Sequence, residues 1–284
     1  MDKHYGKNSK GQDILISVLV HLQILFMCVV VLVPILWIIG SAFGNTTSIA
    51  QSKIIPDNPT LANFDRLFQG TRYTAWYLNT FKIAVATTIF SVLISTMTAY
   101  IFSRFKFRGK KIGLMSILVV QIFPSFLGMT AIYMLFFNAG LLDNIYALVL
   151  VYVAGRIPMD VWLMKGYLQN IPMSLDEAAM IDGASRMRTF FTVILPLSVP
   201  MVTFLAVTAF MSPWMDFIFP RLLLTSDSNK TLAIGLWELV NGQANNDFTA
   251  FAAGAILVAI PITILYMSLQ KYLISGITAG ATKE

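Results

Sequence analysis

Six stretches of apolar residues, each about twenty residues or longer, constrain this chain more than any other feature: roughly 14–43, 79–103, 112–138, 143–168, 197–224 and 250–274. In lipid every backbone N–H and C=O must find its partner inside the protein, so runs of this length are read as helices. The chain is therefore expected to be all-α, a polytopic membrane protein with six transmembrane helices. Composition points the same way: 57% of residues are apolar and 12% charged, with a mean hydropathy of +0.72, whereas soluble domains are roughly half apolar and a quarter charged. The first run follows a basic stretch, as in a signal peptide, but it is far longer than an h-region of about 7–15 residues and lacks a small-x-small cleavage site, so it reads as a retained helix. Cys28, the only cysteine, lies inside it, which excludes an intrachain disulfide and a cysteine metal site. It reads as a small buried apolar residue.

Orientation follows from Lys and Arg in the connections. With the N-terminus inside, thirteen fall on the inner side, including Lys3, Lys7, Lys10, Arg104, Lys106, Arg108, Lys110, Lys111, Arg186 and Arg188, against five outside: Lys53, Arg66, Arg72, Arg221 and Lys230. Both termini and the 174–196 loop are thus expected on the cytoplasmic side. The net charge of +6 is accounted for by these anchors at helix ends, and no single basic face of the kind that binds nucleic acid is present.

Four segments result: a cytoplasmic tail 1–13, the first helix and outer loop 14–78, a membrane core 79–274 and a second cytoplasmic tail 275–284. The outer loop has turn formers early (Asn45, Pro56, Asn58, Pro59) and an amphipathic pattern later (Leu61, Phe64, Leu67, Phe68), which predicts a short interfacial helix. The outer segment 225–249 is long for a connector and reads equally as a docking element for an external protein or as a surface loop. Pro34, Pro124, Pro158, Pro213 and Pro261 interrupt spanning runs; each predicts a kink, near a transport path or merely in packing. No fixed-period repeat or low-complexity tract occurs.

The polar loop SLDEAAMIDGASRMRTFFTVILP, residues 174–196, is set between two of these spans. Pro172 disfavours helix at Ile171, predicting that the preceding helix ends there. Ser174 with Glu177 three residues on predicts a capping box. Ala178 and Ala179 keep the helix narrow, and Asp182-Gly183 predicts a turn in which glycine takes a left-handed conformation. A second helix from about Ser185 would present Met187, Phe190, Phe191 and Ile194 on one side.

Glu177, Ala178, Ala179, Asp182, Gly183, Ala184, Phe190, Ile194, Leu195 and Pro196 fall where the "EAA" loop of ABC importer permeases places its characteristic residues, and the chain resembles that family. KGYLQNIPMSLDEAA from Lys165, LPLSVP from Leu195 and the tail GITAGATKE from Gly276 resemble the smaller permease subunit of maltose/maltodextrin importers; the likeness covers most of the chain from about residue 79. It implies the type I ABC importer permease fold in a bacterial cytoplasmic (inner) membrane. It also implies a second, larger permease, two ATPase subunits and an extracytoplasmic sugar-binding protein as partners. By the same resemblance Ser174, Glu177, Ala178, Ala179, Asp182, Gly183 and Ala184 form the ATPase coupling surface. Glu177 would pair with a basic ATPase residue, and Thr278, Ala279 and Gly280 of the tail would reach the ATPase dimer. The chain lacks G-x-x-x-x-G-K-[ST]: Gly109-Lys110-Lys111 has neither the upstream glycine nor the hydroxyl residue. ATP and Mg are therefore expected on the partner ATPase, with no cofactor and no catalytic residue in this chain.

Charge inside a membrane is a functional hypothesis by default. Lys82 near a helix end can snorkel, and Arg156 and Asp160, at i and i+4, can pair with each other despite Pro158. Trp214, Asp216 and Phe217 form an aromatic and carboxylate set suited to sugar, with Gln121 as a polar companion; helix packing explains the same residues. The substrate expected is a maltodextrin-like oligosaccharide, the alternatives being another oligosaccharide, an acidic sugar polymer or glycerol phosphate. An ion-coupled secondary transporter would need cycling acids and an inverted repeat, and neither it nor a membrane enzyme explains the 174–196 loop.

Overall fold

The computed structural model describes residues 10–122, 125–241 and 246–281. Within these the chain forms α1 (Lys10–Ala42), α2 (Ala62–Gly70), α3 (Tyr73–Arg104), α4 (Lys110–Ile122), α5 (Met129–Asn138), α6 (Ile145–Leu168), α7 (Ser174–Ile181), α8 (Arg186–Thr189), α9 (Leu195–Leu197), α10 (Val199–Met215), α11 (Ile218–Leu223), α12 (Leu232–Asn241) and α13 (Phe248–Ala281). Four helices are long and apolar enough to cross a bilayer: Ile14–Ala42 of α1, all of α3 and α6, and Phe248–Tyr272 of α13. Two bent pairs pass the same test together, α4 with Phe126–Asn138 and Arg186–Leu197 with α10; counting each as one span gives six. Pro124 lies outside the described residues, as do Lys3 and Lys7 of the N-terminal tail, while Pro34, Pro158, Pro213 and Pro261 all sit inside helices.

One compact unit comprises the chain up to Gly70 with Leu239–Ile256. Here α1 ends against its own loop. Gly40 is required because a Cβ would lie 2.1 Å from the Ile54 carbonyl oxygen. Buried Asn63 of α2 donates to the carbonyls of Ala42 and Gly44, 2.7 Å each, supplying donors to helix-end oxygens that lack an intrahelical partner. Arg66 donates to Asn63 Oδ1 and pairs with Asp247 at 2.9 Å. Asp247 in turn accepts the Ala250 amide and caps α13. The amphipathic pattern thus does form a helix, with Leu67 buried and Leu61 and Phe68 exposed. Ahead of the end that meets its loop, the apolar stretch of α1 is exposed, and Cys28 with it, contrary to the sequence expectation: a residue in the middle of a helix is buried only where another segment packs on it.

The second unit comprises Thr71–Glu238 and the chain from Leu257 onward. Its centre is α3 laid along α6 and α10. Helices in lipid gain little from hydrophobic burial against one another, so close packing between small residues has to hold them. Thr80, Ala84, Thr87, Ser91, Ser95 and Ala99, buried at near-helical spacing along α3, serve that purpose. Toward one end Tyr100, Val161, Met164, Leu168, Phe190, Ile194 and Leu205 close a core; toward the other Ile83, Phe136, Leu148, Tyr152 and Leu223 close a second.

α6 stops at Leu168, where the apolar run ends, and Gln169–Ile171 already turn ahead of Pro172. Another boundary differs from the sequence reading. The run expected to continue to 224 ends at Met215: Asp216 adopts extended backbone (ψ 123°) and its Oδ1 accepts the Ile218 amide at 2.9 Å, starting α11 as a separate helix.

Candidate functional site

The first helix of the 174–196 loop, α7, begins one residue earlier than a capping box would require. The Leu175 amide bonds the Pro172 carbonyl and the Glu177 amide bonds that of Met173, so Ser174 is already inside α7 and no side chain caps it. The Ser174–Glu177 capping box is therefore absent, because Pro172 starts the turn. Ser174, Glu177, Ala178, Asp182 and Gly183 are exposed and Ala179 and Ala184 half-buried, a low, narrow face flanked by Ile181 at 86% exposure. The helix closes with a 6→1 bond from the Ala184 amide to the Ala179 carbonyl (2.9 Å) and a bond from Gly183 N–H to Met180 (3.0 Å). Gly183 takes φ +81° with open space around a would-be Cβ, so its backbone sign alone requires glycine.

Ser185 caps the next turn by accepting the Arg188 amide. A π-helical turn follows over Phe190–Ile194. The expected apolar side is only half correct: Phe190 and Ile194 are buried in the core with Tyr100, Val161 and Met164, while Met187, ahead of the π-turn, and Phe191, within it, are 54% and 46% exposed. Beyond it the chain bends by 81° into α10. There the Ser198 amide and hydroxyl both bond the Ile194 carbonyl, and Pro200 has no amide to continue the ladder.

The one face of α7 turned inward carries a charge. Asp176, its only buried residue, lies 3.1 Å from Arg104 Nε and accepts the Tyr100 hydroxyl at 3.2 Å.

Within the second unit a cavity of about 1200 Å³ is lined by residues of α5, α6 and the α10–α11 junction, with Tyr152, Arg156, Ser212 and Asp216 as its polar members. Asp216 Oδ2 accepts the Tyr152 hydroxyl at 2.8 Å. Arg156 pairs with Asp160 at 3.3 Å and donates to the Thr208 hydroxyl at 2.8 Å, the internal pair that their spacing allowed. Of the four residues assigned to the path, only Asp216 lines this cavity. Trp214 is buried against Tyr77 and Phe210, with ring centroids 5.1 and 5.8 Å away; Phe217 packs on Trp237; Gln121 is exposed at the end of α4. Lys82 is exposed well inside α3 rather than at its end.

On the 225–238 segment, Lys230 bridges Asp227 (2.9 Å) and Glu238 (2.6 Å), whose own partners are Arg72 and Arg221. Burial alone would lower the Lys230 pKa, but its bonds to Glu238 and Asp227 outweigh that and raise it. The less polar stretch from Leu236 forms the end of α12, and residues 242–245 lie outside those described.

Residues 91–279 match the family described as "Binding-protein-dependent transport system inner membrane component". The chain belongs to that family. Among its relatives, this permease is 42% identical over 93% of its length to the galactooligosaccharides transport system permease protein GanQ of Bacillus subtilis, covering 94% of that protein. It is 39% identical to the maltodextrin transport system permease protein MdxG of the same organism, over 97% of this chain and 99% of the other. It is 40% identical to the maltodextrin permease protein MalD of Streptococcus pneumoniae, over 93% and 95%. Its fold superimposes on a chain of a bacterial ABC transporter involved in import of the acidic polysaccharide alginate, with TM-score 0.84, 22% identity, and 94% and 99% coverage. The permease is accordingly an integral membrane protein with the fold of ABC importer permeases.

Sequence reasoning overlooked three functional candidates. Arg104 was counted only as a membrane anchor, and Asp176 was passed over beside Glu177. Tyr152 carried a readable signal: Tyr152, Arg156 and Asp160 repeat at i, i+4, i+8, a polar stripe on one face of α6. Thr278, Ala279 and Gly280 lie on the continuous backbone of α13, and Lys283 and Glu284 lie outside the described residues.

Proposed function

We propose that this chain is a permease subunit of an ATP-driven importer for a neutral, maltodextrin-like or galactooligosaccharide-like sugar. It forms half of the translocation path with a larger permease and receives sugar from an extracytoplasmic binding protein. Two ATPase subunits, which hold the ATP and Mg, drive it through α7. Both termini and α7 face the cytoplasm. The observation that carries this reading is α7 itself: an exposed, alanine-narrowed helix closed by Gly183 at φ +81° and joined to the membrane helices, in a chain whose relatives named for sugar transport match it over nearly their whole length. A rigid helix end presented this way suits a groove on a motor subunit.

A neutral sugar is favoured over an acidic one by the cavity. Its one cation, Arg156, is already engaged by Asp160 and Thr208, and its carboxylate, Asp216, would repel uronates. A carboxylate and a tyrosine hydroxyl suit sugar hydroxyls instead.

Purification of the tagged chain from its native membrane, followed by reconstitution with radiolabelled maltotetraose, galactotetraose and an alginate tetrasaccharide, tests the proposal. The expected companions are an ATPase, a larger permease and a sugar-binding protein, with uptake of a neutral sugar that requires ATP. A lone chain, or uptake abolished by an ionophore and indifferent to ATP, would overturn it. Gly183→Pro, or a bulky residue at Ala179, should leave membrane insertion intact while uncoupling ATP hydrolysis from uptake.

A further inference from the structure

We propose that Arg104 and Asp176 are positioning residues that strap the coupling helix to the end of α3, so that α7 and α3 move as one body during the ATP cycle. This rests on the coupling role proposed for α7 and names the path by which load leaves it. α7 has eight residues, too few to be stable without tertiary contacts. Covalently it is joined to α6 only through the turn Gln169–Met173, and beyond it lies the left-handed turn at Gly183. Neither junction by itself fixes α7 against α3. The single residue α7 buries is Asp176, and both members of the ion pair have side chains only 3% exposed.

The strap has several points of attachment. Arg104 is the last residue of α3; its Nε lies 3.1 Å from Asp176 Oδ2 while its Nη2 donates to the Ile171 carbonyl at 2.9 Å. One guanidinium therefore holds both the start of α7 and the linker before it, which a single-point ammonium cannot do in the same geometry. Tyr100, one turn back on α3, donates to Asp176 Oδ1, and its ring packs on Phe190 of the π-turn at 5.1 Å. Because both charges are out of water, opening the pair leaves an uncompensated buried ion. The pair accordingly resists separation of α7 from α3. α3 is also the helix laid along both α6 and α10, so displacement of its end is passed to the cavity-lining helix α6.

The test uses the whole complex purified on the tagged chain in a Cys28→Ser background, with spin labels at Ile101→Cys on α3 and Leu175→Cys on α7. Both positions are exposed. Pulsed-EPR distances are taken without nucleotide and with ATP, and uptake per ATP hydrolysed is measured in proteoliposomes with maltotetraose. The wild-type distance distribution is expected to be narrow and unmoved by ATP. Arg104→Gln and the isosteric Asp176→Asn should broaden it and lower uptake per ATP by about 2- to 30-fold while the ATPase still co-purifies. A wild-type distribution in both variants, or an ATP-driven shift in the wild type, overturns the proposal. If neither variant assembles, the pair is a folding determinant and the proposal also fails. If no ATPase co-purifies with wild type, the coupling reading is what falls; the nucleotide-free distances still decide whether the strap holds α7.

Discussion

At the residue scale Asp143 shows how one side chain fixes a junction. It is the one described non-glycine residue with positive φ (57°), a conformation Asp tolerates better than most residues. From there its carboxylate accepts the amides of Thr225 (2.9 Å) and Ser226 (2.8 Å) and the Ser226 hydroxyl, and Asn229 donates to its carbonyl at 2.6 Å. Burial pushes its pKa up, but the bonds from Ser226, Thr225 and Asn229 outweigh that and leave it below the usual carboxylate value. A folded-state pKa below the unfolded one means stability that is fully present above the unfolded value, about 3.9, and is lost as pH falls through the folded value. Asp143→Gly removes the carboxylate while relieving the backbone. It should lower the tryptophan-fluorescence melting temperature in detergent at pH 6, and the gap to wild type should close below about pH 4. A gap unchanged with pH would show that the carboxylate's charge plays no part.

At the scale of elements, α6 carries Tyr152, Arg156 and Asp160 along one face and is tied through Arg156 to Thr208 of α10. Arg156→Leu leaves Asp160, whose side chain is 5% exposed, as an unpaired buried charge, a loss of about 3–5 kcal/mol. Arg156→Leu with Asp160→Leu should recover most of it, since replacing both ions by apolar groups is close to neutral. Thermal unfolding of the three proteins in detergent measures this cycle, and a double variant as unstable as the single one would contradict it. The π-turn at Phe190–Ile194 and the 81° bend after it set the direction in which α10 leaves the 174–196 loop. A bend made from a missing proline amide and a serine back-bonded to its own helix is defined in angle, unlike a flexible loop.

For the molecule as a whole, the exposed apolar length of α1 can be covered only by lipid or by another apolar surface. α13 continues as helix from its spanning part to Ala281, which carries Thr278, Ala279 and Gly280 beyond the apolar stretch. Deletion of residues 277–284 should lower sugar-stimulated ATPase activity of the complex while insertion and assembly persist. An unchanged rate would show that this end does not reach the ATPase.

What could be read from sequence were properties decided within a few residues of one another. A run of about twenty apolar residues is helical in lipid because no other backbone partner is available. Gly183 was legible because a positive φ penalises every side chain, and Arg156 with Asp160 because one helical turn brings them together. Tertiary structure decided what depends on distant segments or on accumulated rotation. Ser174 fell inside α7 because Pro172 opened the turn first, and Met187 and Phe191 stayed outward because it was Phe190 and Ile194 that the core of α3 and α6 took in. Trp214 and Phe217 lost the cavity to Asp216 where the helix broke after Met215. Asp176 acquired its partner only when α3 brought Arg104 beneath it. A charge buried at the end of one helix says nothing locally about which remote segment will neutralise it.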